Sequence, residues 1–149
     1  MAGSKDSADE VSFGVLGEML GYRLRRAQLT FFNNFSTACA DLGVSPGLFG
    51  VLAIAKENPG LTQTAVAQAL GNDRSAMVAA VDRLEKLNLI ERRPSKRDRR
   101  SYALYLTDHG QAFYKELVDR VGAHEDKLCE RLKPGEKEVL LEILGRFVS

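Results

Sequence analysis

The chain has 149 residues, 44% hydrophobic and 28% charged. That is the balance of one globular domain able to bury its own core, and it excludes a mostly disordered chain. No apolar run is long enough to cross a bilayer, and the N-terminal MAGSKDSADEVS lacks the apolar centre of a secretory signal, so a cytoplasmic protein is expected. Two cysteines far apart in sequence, Cys39 and Cys129, and two histidines, His109 and His124, make no local zinc ribbon, and no metal site is expected.

Apolar residues recur at Phe13, Leu16, Leu20, Leu24, Ala27, Phe31, Phe35, Ala38 and Leu42 with no proline between them. The three- and four-residue steps predict one long amphipathic helix, ended by Gly43. Ser45-Pro46 has the form of an N-cap followed by proline at the first helical position, predicting a second helix to about Glu57. Asn58-Pro59-Gly60 is a turn signal. Thr62 caps a short third helix through Leu70, Gly71 breaks it, and Asn72 or Asp73 caps a fourth helix to about Leu87. Leu89 to Arg93 and Tyr102 to Leu106 have the character of strands. In the second, Tyr102, Leu104 and Leu106 alternate with Ala103 and Tyr105, the pattern of a half-buried strand. Thr107-Asp108 caps a fifth helix to about Arg131, Leu132-Lys133-Pro134-Gly135 interrupts it, and a last helix carries Val139, Leu140, Ile143, Leu144, Phe147 and Val148.

The net charge of +1 conceals an uneven distribution. Residues 1–20 carry −3, 21–60 carry +2, 61–106 carry +4 and 107–149 carry −2. The peak is Arg92 to Arg100, where six of nine residues are basic and only Asp98 is acidic. Alone this is a solvated loop. Its context changes the reading, because it connects two strands that directly follow two helices joined by a tight glycine turn. Val66 and Leu70 give the first of those helices an inner face, and Met77, Val81 and Leu84 give one to the second. The second then presents Arg74, Ser75, Val78, Ala79 and Asp82 outward, at the end where a recognition helix touches base edges. A helix-turn-helix followed by a basic-tipped hairpin is a winged helix, whose partner is double-stranded DNA.

The run Arg92-Arg93-Pro94-Ser95-Lys96-Arg97-Asp98-Arg99-Arg100, followed by Leu106-Thr107-Asp108-His109-Gly110, resembles the wing signature of the multiple-antibiotic-resistance regulator (MarR) family of transcription factors. Arg83 to Arg92 resembles the family's exit from the recognition helix. Asn88 stands where the family usually has glycine, a mild departure because asparagine tolerates the left-handed conformation. The resemblance spans nearly the whole chain. It implies a mainly α, winged helix-turn-helix fold over residues 1–149, with a DNA-binding lobe at 45–106 and dimerisation helices at 12–42 and 108–148. It further implies that Asp98 orients a wing arginine, that Arg100 enters the minor groove, and that Lys96, Arg97 and Arg99 meet phosphates. Narrow minor grooves concentrate negative potential and attract arginine. Positions 79 and 80 are alanine where the family is often polar. That leaves Arg74 as the long donor able to read a guanine, with Val78 and Ala79 for thymine methyls.

The long first helix and the apolar last helix imply a homodimer, since the last helix would otherwise expose Leu140, Ile143, Leu144 and Phe147. Arg23, Arg25 and Arg26 lie near Phe31, Phe32 and Phe35. This stretch, with Ser45 to Leu52, resembles regulators of aromatic-acid catabolism that answer to hydroxycinnamoyl-coenzyme A thioesters. Arginine suits phosphate or carboxylate and phenylalanine suits a ring. The candidate effector residues are therefore Arg23, Arg26, Phe31, Phe35 and Phe49, for a small aromatic effector and with no cofactor. The expected function is a ligand-responsive repressor of aromatic-acid catabolism genes, released from a palindromic operator by an aromatic acid or its coenzyme A thioester. Two alternatives stand beside it: a thiol sensor using Cys39 or Cys129, and a winged helix that binds RNA. No Gly-x-Ser-x-Gly, phosphate-binding glycine loop or His-Glu metal motif occurs, and catalysis is not expected. His124-Glu125-Asp126 is read as surface.

Overall fold

The computed structural model describes residues 11–148. The acidic N-terminal stretch through Glu10 and the last residue, Ser149, lie outside the described residues. A 3-10 turn at Gly14–Glu18 leads into α1 (Leu20–Ala38). There follow α2 (Pro46–Glu57), α3 (Gln63–Leu70), α4 (Arg74–Lys86), β1 (Ile90–Pro94), β2 (Tyr102–Leu106), α5 (Asp108–Cys129) and α6 (Glu136–Gly145). The mainly helical architecture with one small sheet is the expected one. No helix is long and apolar enough to cross a membrane among the described residues.

Four helices start on the side chains that the sequence predicts. Ser45 Oγ accepts from Leu48 N at 3.3 Å, Thr62 Oγ1 from Ala65 N at 3.2 Å, Asp73 Oδ1 from Ala76 N at 2.7 Å, and Thr107 Oγ1 from Gly110 N at 2.9 Å. Each satisfies an N–H with no partner inside its helix, a contribution of about 1 kcal/mol. Asp73, not Asn72, caps α4. Gly71, at φ 68°, makes the tight turn between α3 and α4.

The first helix differs from expectation. Phe13 to Leu42 is not one helix: Met19 is extended (φ −88°, ψ 123°), and α1 spans only Leu20–Ala38. Gly14 takes φ +51° and Gly17 and Gly21 follow, so the segment is poor in helix propensity although its apolar spacing is helical. At the other end Arg120 of α5 donates to the Ala38 carbonyl at 3.5 Å and to Asp41 at 2.6 Å, which satisfies a carbonyl freed where the helix stops. The Arg120 guanidinium hydrogen-bonded to Asp41 holds that carboxyl below the usual range.

β1 and β2 pair antiparallel, with Ile90 opposite Leu106 and Pro94 opposite Tyr102. The expected alternation in β2 fails, because Ala103 and Leu104 are both buried. The other edge of β2 is also occupied: Leu104 N donates to Leu61 O and Gly60 N to Leu104 O, both at 3.0 Å, and Thr62 bridges Ala103. The strand is therefore covered on two sides. One continuous core runs from Phe35, Ala38 and Cys39 through Val51, Leu52 and Ala55, then Val66, Met77, Val81 and Leu84, to Leu89, Leu104 and Leu117. The N-terminal half of α1 takes no part in it. Leu16, Leu20, Leu24 and Phe31 are exposed, and α6 buries no residue at all.

Candidate nucleic-acid interface

Met77, Val81 and Leu84 seat α4 on the core, so its opposite face, Arg74, Ser75, Val78 and Ala79, is exposed. Beside it stands the hairpin. An open cleft of about 690 Å³ lies between them, with Arg74 and Val78 on the helix side and Asp98, Arg100 and Tyr102 on the wing side. Of the sequence-predicted residues, Arg74, Val78, Asp98 and Arg100 line this cleft, whereas Ser75, Ala79, Lys96, Arg97 and Arg99 are exposed outside its lining.

The wing tip holds itself together. Ser95, only 8% exposed, accepts from the N–H of Arg97 and of Asp98, each at 3.3 Å. Ser95 N donates to Ser101 O at 3.2 Å, and Ser101 N to Asp98 O at 3.1 Å. The Asp98 carboxylate accepts from the backbone N–H of Arg100 at 3.0 Å. The Asp98 contact is thus with the Arg100 main chain and not with its guanidinium. Lys96, Arg97, Arg99 and Arg100 are exposed and make no ion pair among the described residues.

The other two bases of the run are engaged. Arg93 donates to Glu91 at 2.8 Å and lies 4.2 Å from the centre of the Tyr105 ring. That hydrogen bond holds the Glu91 carboxyl below its ordinary range. Arg92 pairs with Asp82 at 2.7 Å and with Glu85, so Asp82 is not a free group on the outer face of α4. From sequence, Arg92 falls in the first strand, in the basic run and in the exit from the recognition helix, and none of these assigns it carboxylate partners on α4. Its strand position carried the missing signal: Arg92 is two residues from buried Ile90 and so points to the same side.

The aromatic site is partly assembled. Phe31, Phe35 and Phe49 line a pocket of about 250 Å³ together with Gln28, Phe32, Asn34, Pro46, Val121 and Glu125. Phe35 and Phe49 are tilted at 5.7 Å between ring centres, and Phe49 stacks on Tyr114 at 6.0 Å. Arg23 and Arg26 are not in the lining. Arg23 Nε donates to the Gly17 carbonyl at 2.8 Å, turned back toward the 3-10 turn. Gln28, Asn34, Val121 and Glu125 were not singled out from sequence. Val121 and Glu125 come from a helix 90 residues later, and no local pattern links them to the phenylalanines.

Cys39 is 2% exposed, and burial pushes its thiol up, partly opposed by Arg120 and reinforced by Asp41. Cys129 is half-buried, and the two remain separate thiols. No cluster of three or more His, Cys, Asp or Glu that could hold a metal occurs among the described residues.

A recognition helix seated by its apolar side, a left-handed glycine turn before it and a basic hairpin across one cleft define a winged helix-turn-helix of the DNA-binding class. Known proteins agree. The MarR family model matches residues 42–101. A protein of Thauera aromatica assigned to regulation of the hcr operon is 38% identical over 145 residues, covering 97% of this chain and 87% of that protein. A structure of the transcriptional repressor CouR bound to a 23-mer DNA duplex is 40% identical, with a TM-score of 0.87 over 94% of this chain and 99% of that one. CouR bound to p-coumaroyl-CoA is 37% identical, with a TM-score of 0.84 over 93% and 97%. The chain belongs to the MarR family of transcriptional regulators.

Proposed function

We propose that the chain is a homodimeric repressor of aromatic-acid catabolism genes, released from a palindromic operator by a hydroxycinnamoyl-CoA thioester. The observation that carries this reading is its likeness, along nearly its whole length, to a repressor solved with a DNA duplex and with p-coumaroyl-CoA. Three features of this chain support it. The exposed end of α4 and the wing offer Arg74 and Arg100 to one duplex. The N-terminal half of α1 and all of α6 leave apolar surface that a second copy would cover. The pocket of Phe31, Phe35 and Phe49 is smaller than a drug-sized site, so it suits the ring of a thioester while the phosphates lie outside.

In this reading Arg74 reads a base edge, Ser75, Val78 and Ala79 follow the major groove, and Arg100 enters the minor groove. Lys96, Arg97 and Arg99 meet phosphates, and the protein works in the cytoplasm beside its DNA. The test is fluorescence anisotropy on a duplex from upstream of the chain's own gene, titrated with p-coumaroyl-CoA. Salt-sensitive binding to that duplex, released by the thioester, supports the proposal. Equal binding to the RNA duplex of the same sequence favours the RNA reading. DNA binding that the thioester leaves unchanged removes the effector.

A further inference from the structure

Arg92 is the one member of the basic run that turns into the protein. Its side chain is 18% exposed, and its contacts reach three elements outside its own strand. Nε donates to Gln63 Oε1 at the start of α3, at 3.0 Å. Nη1 donates to Asp82 at 2.7 Å and to Glu85, both on α4. Nη2 reaches the Val78 carbonyl of α4 at 3.4 Å, and the guanidinium lies 6.0 Å from the Tyr102 ring centre on β2. A guanidinium has five N–H donors in a rigid fork, and these contacts engage four of them. Little remains for a phosphate.

We propose that Arg92 is a positioning residue that fixes the wing at a set angle to the recognition helix, and that it carries DNA affinity without touching DNA. The proposal rests on the reading of α4 and the wing as the duplex interface. Arg74 and Arg100 can reach one duplex together only if the cleft between them keeps its width. Backbone hydrogen bonds hold the hairpin to the Gly60–Thr62 segment on the β2 side. Beyond the chain connection at Leu87–Leu89, the side-chain hydrogen bonds from the hairpin to α4 among the described residues all come from Arg92. Arg92 also screens Asp82 and Glu85, two carboxylates on the DNA-facing helix that would otherwise repel phosphates. Lysine has the charge but a single point of attachment, so it cannot span Gln63 and both carboxylates in one plane.

The experiment has two arms. In the first, Arg92→Lys and Arg92→Gln are titrated with the operator duplex, alone and combined with Arg100→Ala, over a range of salt. A positioning residue predicts a loss of about tenfold or more for both substitutions, and little further loss once Arg100 is already alanine, because coupled sites are not additive. A phosphate contact predicts the reverse: Arg92→Lys close to wild type with its full salt slope, and Arg92→Gln multiplying with Arg100→Ala. That outcome overturns the proposal. The second arm needs no DNA. Bio-orthogonal spin labels at positions 68 and 96, in dimers diluted with unlabelled chain, report the distance across the cleft. Arg92→Gln should broaden a narrow distribution, and an unchanged width overturns the proposal. If Arg92→Gln does not fold, Arg92→Lys and Gln63→Ala carry both arms. A wild-type chain that binds no duplex overturns the reading of the interface, while the distance arm still decides whether Arg92 holds the wing.

Discussion

At Gly110 a hydrogen atom stands where any other residue would place a Cβ against the main chain just before β1. A Cβ there would overlap the Leu89 carbonyl. The same corner is tied by Thr107, whose hydroxyl donates to Asn88 O at 2.6 Å and accepts from Gly110 N at 2.9 Å, while its N–H donates to Leu89 O at 3.1 Å. The Leu-Thr-x-x-Gly pattern is therefore a mechanical joint, with threonine as cap and glycine as the point of close approach. Asn88, at φ 58°, takes the left-handed conformation that its substitution for glycine required. Gly110→Ala should lower stability by about 2–4 kcal/mol, through overpacking against backbone that cannot move aside. A melting temperature lower by about 5 °C or more is expected, and an unchanged one would mean the joint is looser than described. Asp98 yields a sharper expectation. Its carboxylate holds a backbone N–H, so Asp98→Asn should keep DNA affinity, because the amide oxygen still accepts, while Asp98→Ala should weaken it despite removing a negative charge. If Asp98→Ala binds more tightly, simple charge accounting governs the wing. Cys39 argues against a thiol sensor. The thiolate is the reactive form, and a raised pKa reduces its fraction at neutral pH below that of an ordinary thiol. Iodoacetamide should label Cys129 well before Cys39 in the folded protein. Raising the pH to 9 should still leave Cys39 slow, because burial holds its thiol above the ordinary range.

Elements were legible where a local rule fixes them. Ser45, Thr62, Asp73 and Thr107 each start a helix because their oxygens answer N–H groups three residues on, a relation contained in the sequence itself. The helix-turn-helix followed for the same reason. What escaped was set by distant partners. The break at Met19 was hidden because Phe13, Leu16 and Leu20 keep helical spacing across it, and periodicity does not register a glycine that has left the helix. The double burial of β2 depends on Leu61 and Thr62, some 40 residues away. Arg74 and Val78 of the helix nevertheless share one cleft with Asp98 and Arg100 of the wing, and the proposed roles of helix and wing separate experimentally. Arg74→Ala should relax preference at one base position per half-site, at a cost of about 1–3 kcal/mol on the operator and little on random DNA. Lys96→Ala or Arg97→Ala should weaken every duplex alike and lower the salt slope by about one. Equal losses on both duplexes for Arg74→Ala would make it a phosphate contact.

The whole molecule poses two connected questions, what covers its apolar ends and how a ligand would be felt at the DNA. Leu140 and Ile143 of α6 and Phe147 just after it are exposed together with Leu16, Leu20 and Leu24 near the N-terminus. Ile143→Glu should therefore yield monomers in sedimentation and weaken operator binding steeply, since two linked recognition helices gain affinity from effective concentration. A variant still dimeric would place the interface elsewhere. The proposed effector site was half legible. The phenylalanines share a pocket, but Arg23 lies about 12 Å along the helix from Phe31, at about 1.5 Å per residue, and bonds back to Gly17. With Glu125 in the lining and no lysine or arginine there, a free aromatic carboxylate finds no cationic partner in the pocket and meets a like charge, whereas a thioester brings an uncharged carbonyl that Gln28 or Asn34 can serve. p-Coumaroyl-CoA should therefore bind more tightly than p-coumarate. Release of DNA needs more than binding: the ligand must prefer a form of the dimer whose recognition helices do not fit successive major grooves, and equal affinity for both forms would shift nothing. A hundredfold drop in operator affinity corresponds to about 2.7 kcal/mol of coupling, within the usual allosteric range. Reciprocity then requires the operator to weaken ligand binding by the same factor. Titration calorimetry with p-coumaroyl-CoA, with and without operator duplex, measures both sides of that equality. No heat of binding removes the thioester, and an affinity indifferent to DNA removes induction even where the ligand is right.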